Sequence, residues 1–152
     1  MPPTDDRIRE LLSRDLSRFP PCSRTLGFEL IDFSVEERWL EAAFNPSPDF
    51  ANPTGCVQGG FVTAMLDDAM SLAAVVSRRF EIVVLTLQLN VNYLAPTPVE
   101  RVFVRGEAVK VGRSSVYMEG ALRDKDGKVL ATATATAAPR PHPNLLRKGE
   151  KA

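Results

Sequence analysis

The clearest alternation in the chain runs from Leu85 to Tyr93, where Leu85, Leu87, Leu89, Val91 and Tyr93 interleave with Thr86, Gln88, Asn90 and Asn92. A two-residue period predicts a strand with one face on a core, which puts the leucines inward and Thr86 outward. Pro96 and Pro98 stop it. Upstream, Leu26, Phe28 and Leu30 alternate through one strand and Leu40, Ala42 and Phe44 through another, joined near Val35 to Arg38 as a hairpin. Downstream, Val102 to Val111 and Ser115 to Arg123 predict two strands separated near Gly112, and Asp126-Gly127 marks a turn into Val129 to Ala138. That last segment alternates Ala with Thr; threonine favours strands, and a small alanine face suits close packing against a helix.

Helical periodicity occurs twice. Thr4 caps a first turn holding Asp5 and Asp6, and Ile8, Leu11 and Leu12 form one apolar stripe, predicting a short amphipathic helix that Pro20-Pro21 ends. From Gly59 to about Arg79 the chain is apolar nearly all round, the mark of a buried helix, with Phe61, Met65 and Met70 expected in the core. A loop rich in Pro, Asn, Ser and Gly, from Asn45 to Gly55, leads into it.

Two strands, one long helix and four more strands, with short connections, predict an α+β architecture: an antiparallel sheet wrapped around one long central helix. The division expected is an N-terminal helical segment over 1–22, the main domain over 23–139, and a disordered proline-rich tail over 140–152. One helix covers only one face of such a sheet and leaves strand edges open, so edge-to-edge pairing into a homodimer is expected.

Composition narrows the function. In 152 residues, nineteen basic side chains balance nineteen acidic ones, which leaves no net field to attract nucleic acid or an anionic membrane. The first eighteen residues lack the apolar stretch of a signal peptide, and a cytoplasmic location is expected. Cys22 and Cys56 read as free thiols. The single histidine, His142, lies between Pro141 and Pro143, so a Ser-His-Asp or Cys-His system or a His-ligated zinc has no imidazole unless the tail folds back.

The candidate chemistry sits where the loop meets the long helix, in Asn52-Pro53-Thr54-Gly55-Cys56-Val57-Gln58-Gly59-Gly60 followed by Asp67 and Asp68. Glycines at a helix mouth let a ligand approach N–H groups that have no intrahelical partner, where the dipole favours developing negative charge. A carboxylate on a greasy helix must be hydrogen-bonded or used. Asp68 competes with Asp67 for the role, displaced about 100° around the helix.

Asn52, Gly55, Gln58-Gly59-Gly60, Asp67 and Thr86, with the Leu85 to Pro96 strand, resemble the hotdog-fold acyl-CoA thioesterases of the PaaI-like, phenylacetate-degradation type. The resemblance covers roughly Phe28 to Ala138. It implies a hotdog fold and a thioester hydrolase that releases a carboxylate and free CoA. The Gly59 N–H, helped by Asn52, would polarise the carbonyl, Asp67 would act on water, and Thr86 would help position it. Gly60 and Asp68 fall on the substrate side, and Gly112-Arg113-Ser114 corresponds to a segment near coenzyme A in relatives. The site would be composed from both subunits of a dimer or tetramer, with no metal or redox cofactor, CoA being part of the substrate. Gln58 replaces a histidine common in relatives and cannot shuttle a proton at neutral pH. That departure supports the alternative, a non-catalytic acyl-CoA binding or sensing module. By strand parity Thr86 belongs to the outward set, so reaching Asp67 requires a bulge, an edge position or a second subunit.

Overall fold

The computed structural model describes residues 1–13 and 19–143. Two short helices, α1 (Asp5–Ser13) and α2 (Pro21–Leu26), precede β1 (Phe28–Ser34) and β2 (Trp39–Phe44). The long helix α3 (Gly59–Ser77) follows, then β3 (Ile82–Tyr93), β4 (Val102–Val111), β5 (Val116–Arg123) and β6 (Val129–Pro141). The strands form one antiparallel sheet in the order β1-β2-β4-β5-β6-β3. This is the hotdog arrangement expected from the sequence.

By length and composition α3 could span a bilayer, but here it packs along the sheet with much of its apolar surface in the core. Val62, Met65, Leu66, Ala69, Met70, Ala73 and Val76 are buried in one core with Leu40, Val104, Met118 and Leu122 of the strands. Small residues on the sheet let the helix approach. A Cβ on Gly106 of β4 would stand 2.7 Å from the Ala69 backbone, and Ala131, Ala133, Ala135 and Ala137 present the expected small face of β6.

Three local expectations change. The helix end expected at Pro20-Pro21 follows residues 14–18, which lie outside the described residues; Pro21 itself opens α2, its fixed φ suiting the first helical position, so Leu26 lies in α2 and not in β1. Gly27 closes α2 at φ 73°, a conformation a side chain would strain. Arg140 and Pro141, placed in a disordered tail by the sequence reading, belong to β6. They do so because β3 begins three residues early and pairs Ile82 with Pro141 and Val83 with Arg140. The His142 N–H donates to the Glu81 carbonyl at 3.0 Å, and residues 144–152 of the expected tail lie outside the described residues.

The third change concerns β3 itself. Its ladder with β6 slips between Thr86 and Gln88, so Leu87 has no partner and the inward set switches there. Leu89 and Val91 pack on the core as predicted, while Leu85 and Leu87, expected inward, are 54% and 68% exposed. Before the slip it is Val84 and Thr86 that face the helix.

Candidate active site

The loop before α3 is built around Asn52. Its Oδ1 accepts from the Thr54 N–H (2.9 Å), the Thr54 hydroxyl (2.7 Å) and the Cys56 N–H (3.2 Å), and its own N–H donates to the Cys56 carbonyl at 2.7 Å. Gly55 supplies the positive φ, 82°, that closes the turn. The Asn52 oxygen is thereby spent on the loop, which orients the amide; Nδ2 donates to none of the described residues. Backbone bonds from Val57 to the Thr97 carbonyl and from Gln58 to the Phe50 carbonyl, both 2.8 Å, fix the loop to its neighbours.

Gln58 is the N-cap of α3, its Oε1 accepting from the Gly60 N–H at 2.7 Å. Of the two glycine amides, Gly60 is therefore occupied, whereas the Gly59 N–H meets no acceptor among the described residues. Tyr93 lies over this glycine. Its hydroxyl donates to the Gly59 carbonyl at 3.0 Å and is bonded to the Thr63 hydroxyl, and a Cβ on Gly59 would stand 3.3 Å from its ring. A groove of about 430 Å³ runs past Asn52, Cys56, Gly59 and Tyr93.

Asp67 stands on α3, half-buried, facing β3. Thr86 Oγ1 donates to its Oδ1 at 2.8 Å, while Oδ2 accepts from none of the described residues. Asp68 turns toward α2, where Ser23 Oγ donates to its Oδ1 at 2.9 Å; its Oδ2 is buried and accepts from none of the described residues. Burial pushes the Asp68 carboxyl up to about 6; the Ser23 bond opposes the rise and the charge of Asp67 adds to it.

Gly112, Arg113 and Ser114 form the turn between β4 and β5, with the Gly112 N–H on the Ser115 carbonyl at 2.9 Å. Arg113 shares a shallow groove of about 570 Å³ with Arg78, at the C-terminal end of α3, and with Arg140. One chain thus holds three separate groups: the Asn52 to Gly60 turn at the start of α3, the Asp67–Thr86 pair further along, and the Arg113 turn at its far end. Gly59 and Asp67 are about 12 Å apart along the helix axis. A single carbonyl cannot touch both.

Sequence reasoning missed Tyr93, Thr63 and Ser23. Thr63 was legible as the residue one turn after Gly59 on the same helix face. Tyr93 and Ser23 required the tertiary fold. Among the described residues no group of three or more His, Cys, Asp or Glu is placed to hold a metal ion.

A glycine-entered helix that carries a half-buried carboxylate and is wrapped by one antiparallel sheet is the hotdog arrangement. The profile of the Thioesterase superfamily matches residues 54–131, and the chain belongs to that family. The chain is 27% identical over 106 residues to the 1,4-dihydroxy-2-naphthoyl-CoA hydrolase of Listeria monocytogenes, which covers 70% of this chain and 85% of that protein. A solved phenylacetic acid degradation-related protein from Ralstonia eutropha is 33% identical, with a TM-score of 0.74 over 79% of this chain and 90% of that one. A Streptococcus mutans protein solved with acetyl-CoA bound shares the fold, with a TM-score of 0.66 at 20% identity over 76% of this chain and 90% of that one.

Proposed function

We propose that the protein hydrolyses an acyl-CoA to the free carboxylate and CoA, at a site completed by two copies of the chain. The observation that carries this reading is the Asp67–Thr86 pair: a half-buried carboxylate fixed through Oδ1, with Oδ2 left for water. Asp67 takes a proton from that water as its oxygen bonds to the thioester carbon. The oxyanion formed is held by the Gly59 N–H, assisted by Asn52 Nδ2. Collapse breaks the C–S bond and releases the CoA thiolate, which needs little protonation to leave, so a capping Gln58 in place of histidine does not stop the reaction.

The separation of about 12 Å between Gly59 and Asp67 supports a composite site, Gly59 of one copy facing Asp67 of the other. A suitable surface is available. β3 is an edge strand of twelve residues with Leu85 and Leu87 exposed, and pairing two such edges would extend the sheet and cover them. The Arg78, Arg113 and Arg140 groove suits the phosphates of CoA, as guanidinium groups bind phosphate in a fork. The coenzyme A thioester named for the Listeria relative and the acetyl-CoA bound by the Streptococcus protein favour an acyl-CoA over other thioesters.

The test is release of CoA thiol across a panel of acyl-CoAs, with Asp67→Asn as the variant. A loss of about 10²–10⁴-fold in kcat is expected for removal of a general base. Wild-type turnover by Asp67→Asn overturns the mechanism, and a wild type that binds acyl-CoA without hydrolysing any of the panel establishes a binding module instead.

A further inference from the structure

The first turn of α3 opens on two glycines, Gly59 and Gly60. Glycine loses more conformational freedom on folding than any other residue, and helix ends fray, so this is a poor place to hold an amide still. An oxyanion donor has to be aimed before the charge develops. The Gly59 N–H shares a peptide plane with the Gln58 carbonyl, which accepts from the Phe61 N–H at 3.0 Å and the Val62 N–H at 3.3 Å. The next plane, the Gly59 carbonyl with the Gly60 N–H, is gripped at both ends. Gln58 Oε1 accepts from the N–H at 2.7 Å, and the Tyr93 hydroxyl donates to the carbonyl at 3.0 Å. The Gly59 Cα is thus a hinge between two planes that are both tied down.

The bond from Tyr93 is not one the helix needs. The carbonyl of a first helical residue takes the N–H four residues on, so the phenol adds a second donor to an acceptor already served. A phenol has one proton, and Tyr93 spends it on Gly59; the Thr63 hydroxyl, bonded to the same phenol oxygen, is therefore the donor there. Thr63 to Tyr93 to Gly59 is a chain of two hydrogen bonds, each polarising the next. Tyr93 is more than half exposed, so core packing does not explain its placement.

Tyr93 reaches α3 from the same strand as Thr86, an odd number of residues away. On a regular strand the two would face opposite sides; both face α3 because the ladder slips between Thr86 and Gln88. One edge strand thereby holds Asp67 through Thr86 and Gly59 through Tyr93.

We propose that Tyr93, backed by Thr63, is a positioning residue that fixes the direction of the Gly59 N–H, acting through the backbone of Gly59 without touching the reacting atoms. The inference rests on the acyl-CoA reading above and deepens it at the same site. Tyr93→Phe keeps the ring and removes the donor, Thr63→Val keeps the shape and removes the hydroxyl behind it, and Thr63→Ser restores that hydroxyl.

The experiment measures kcat and KM of these variants on the acyl-CoA that wild type hydrolyses fastest. Separately, it measures amide nitrogen relaxation at Gly59 in the glycine-labelled proteins without substrate, a readout of backbone order on the fast timescale. Tyr93→Phe is expected to lower kcat by about 5- to 10-fold, the range of a neutral hydrogen bond, with KM changed less than about twofold. Thr63→Val should lower kcat by about two- to threefold, Thr63→Ser should stay near wild type, and the double variant Tyr93→Phe/Thr63→Val should be no slower than Tyr93→Phe, because Thr63 acts through the phenol. Gly59 should be less ordered in Tyr93→Phe than in wild type.

A wild-type kcat in Tyr93→Phe, a loss carried by KM, or a loss in kcat with Gly59 as ordered as in wild type overturns the proposal. If wild type hydrolyses no acyl-CoA, relaxation decides alone: a Gly59 loosened in Tyr93→Phe leaves the positioning role standing while the hydrolase reading fails, and an unchanged Gly59 ends both.

Discussion

Thr86 Oγ1 lies 2.8 Å from Asp67 Oδ1, and the contact exists because the ladder of β3 slips immediately after Thr86. Without that slip, the leucines of the strand would face α3 and the hydroxyl would point away from it. The bond selects one carboxylate oxygen for the protein and leaves the other for the reaction.

Replacing Thr86 with valine keeps the shape and removes the donor. The expected effect is a fall in kcat of about 10- to 100-fold, the range for a hydrogen bond to a charged group, with a much smaller change in KM. Thr86→Ser should retain most of the activity. Steady-state kinetics of the two variants check this, and a valine variant with wild-type kcat would remove Thr86 from the mechanism.

The β3 slip also marks where the sequence stops being readable. The alternation from Leu85 to Tyr93 is unbroken, yet the residue facing the core changes parity at Leu87, because a bulge leaves no gap in a hydrophobic pattern. The rest of the sheet was legible for the converse reason. Val102 to Ala108 of β4, Val116 to Leu122 of β5 and Ala131 to Ala137 of β6 each keep one parity through their buried positions, and the small residues of β6 announced the close approach of α3. In the site, the helix-mouth glycines and Asp67 could be read because their chemistry is local. Which amide is free could not, since that depends on the Gln58 side chain folding back onto Gly60. The pairing of Ser23 with Asp68 spans the fold and leaves no local trace.

Asp68 gives the protein a pH dependence of definite sign. Its carboxyl is raised from 3.8 to about 6 in the folded state, so its contribution favours folding fully below about pH 4 and is lost as pH rises through about 6. At pH 7.5 the buried carboxylate costs up to about 3 kcal/mol relative to a neutral group, at about 1.4 kcal/mol for each unit. Asp68→Asn, which keeps an acceptor for Ser23, should therefore be more stable than wild type at pH 7.5, and the difference should shrink toward pH 4. Urea unfolding of both proteins at several pH values measures it. A difference that stays constant across that range would show that Asp68 does not titrate there.

The composite site can be tested without a structure of the dimer, through the backbone amide of Gly59. This residue is the first of α3, a position where proline is tolerated, and Gln58 before it is already extended at φ −62° and ψ 139°, the conformation a following proline demands. Gly59→Pro thus removes the N–H with little strain in the helix, the Tyr93 ring at 3.3 Å being a side chain that can give way. Gly59→Pro and Asp67→Asn should each be nearly inactive alone. If Gly59 of one copy works with Asp67 of the other, a mixed dimer of the two variants carries one site with both defects and one with none. Coexpression in equal amounts makes about half of the dimers mixed, which restores about a quarter of wild-type activity. If both groups acted within one chain, every site would keep a defect and mixing would restore nothing. Activity of the coexpressed pair, measured against the separate variants, distinguishes the two arrangements.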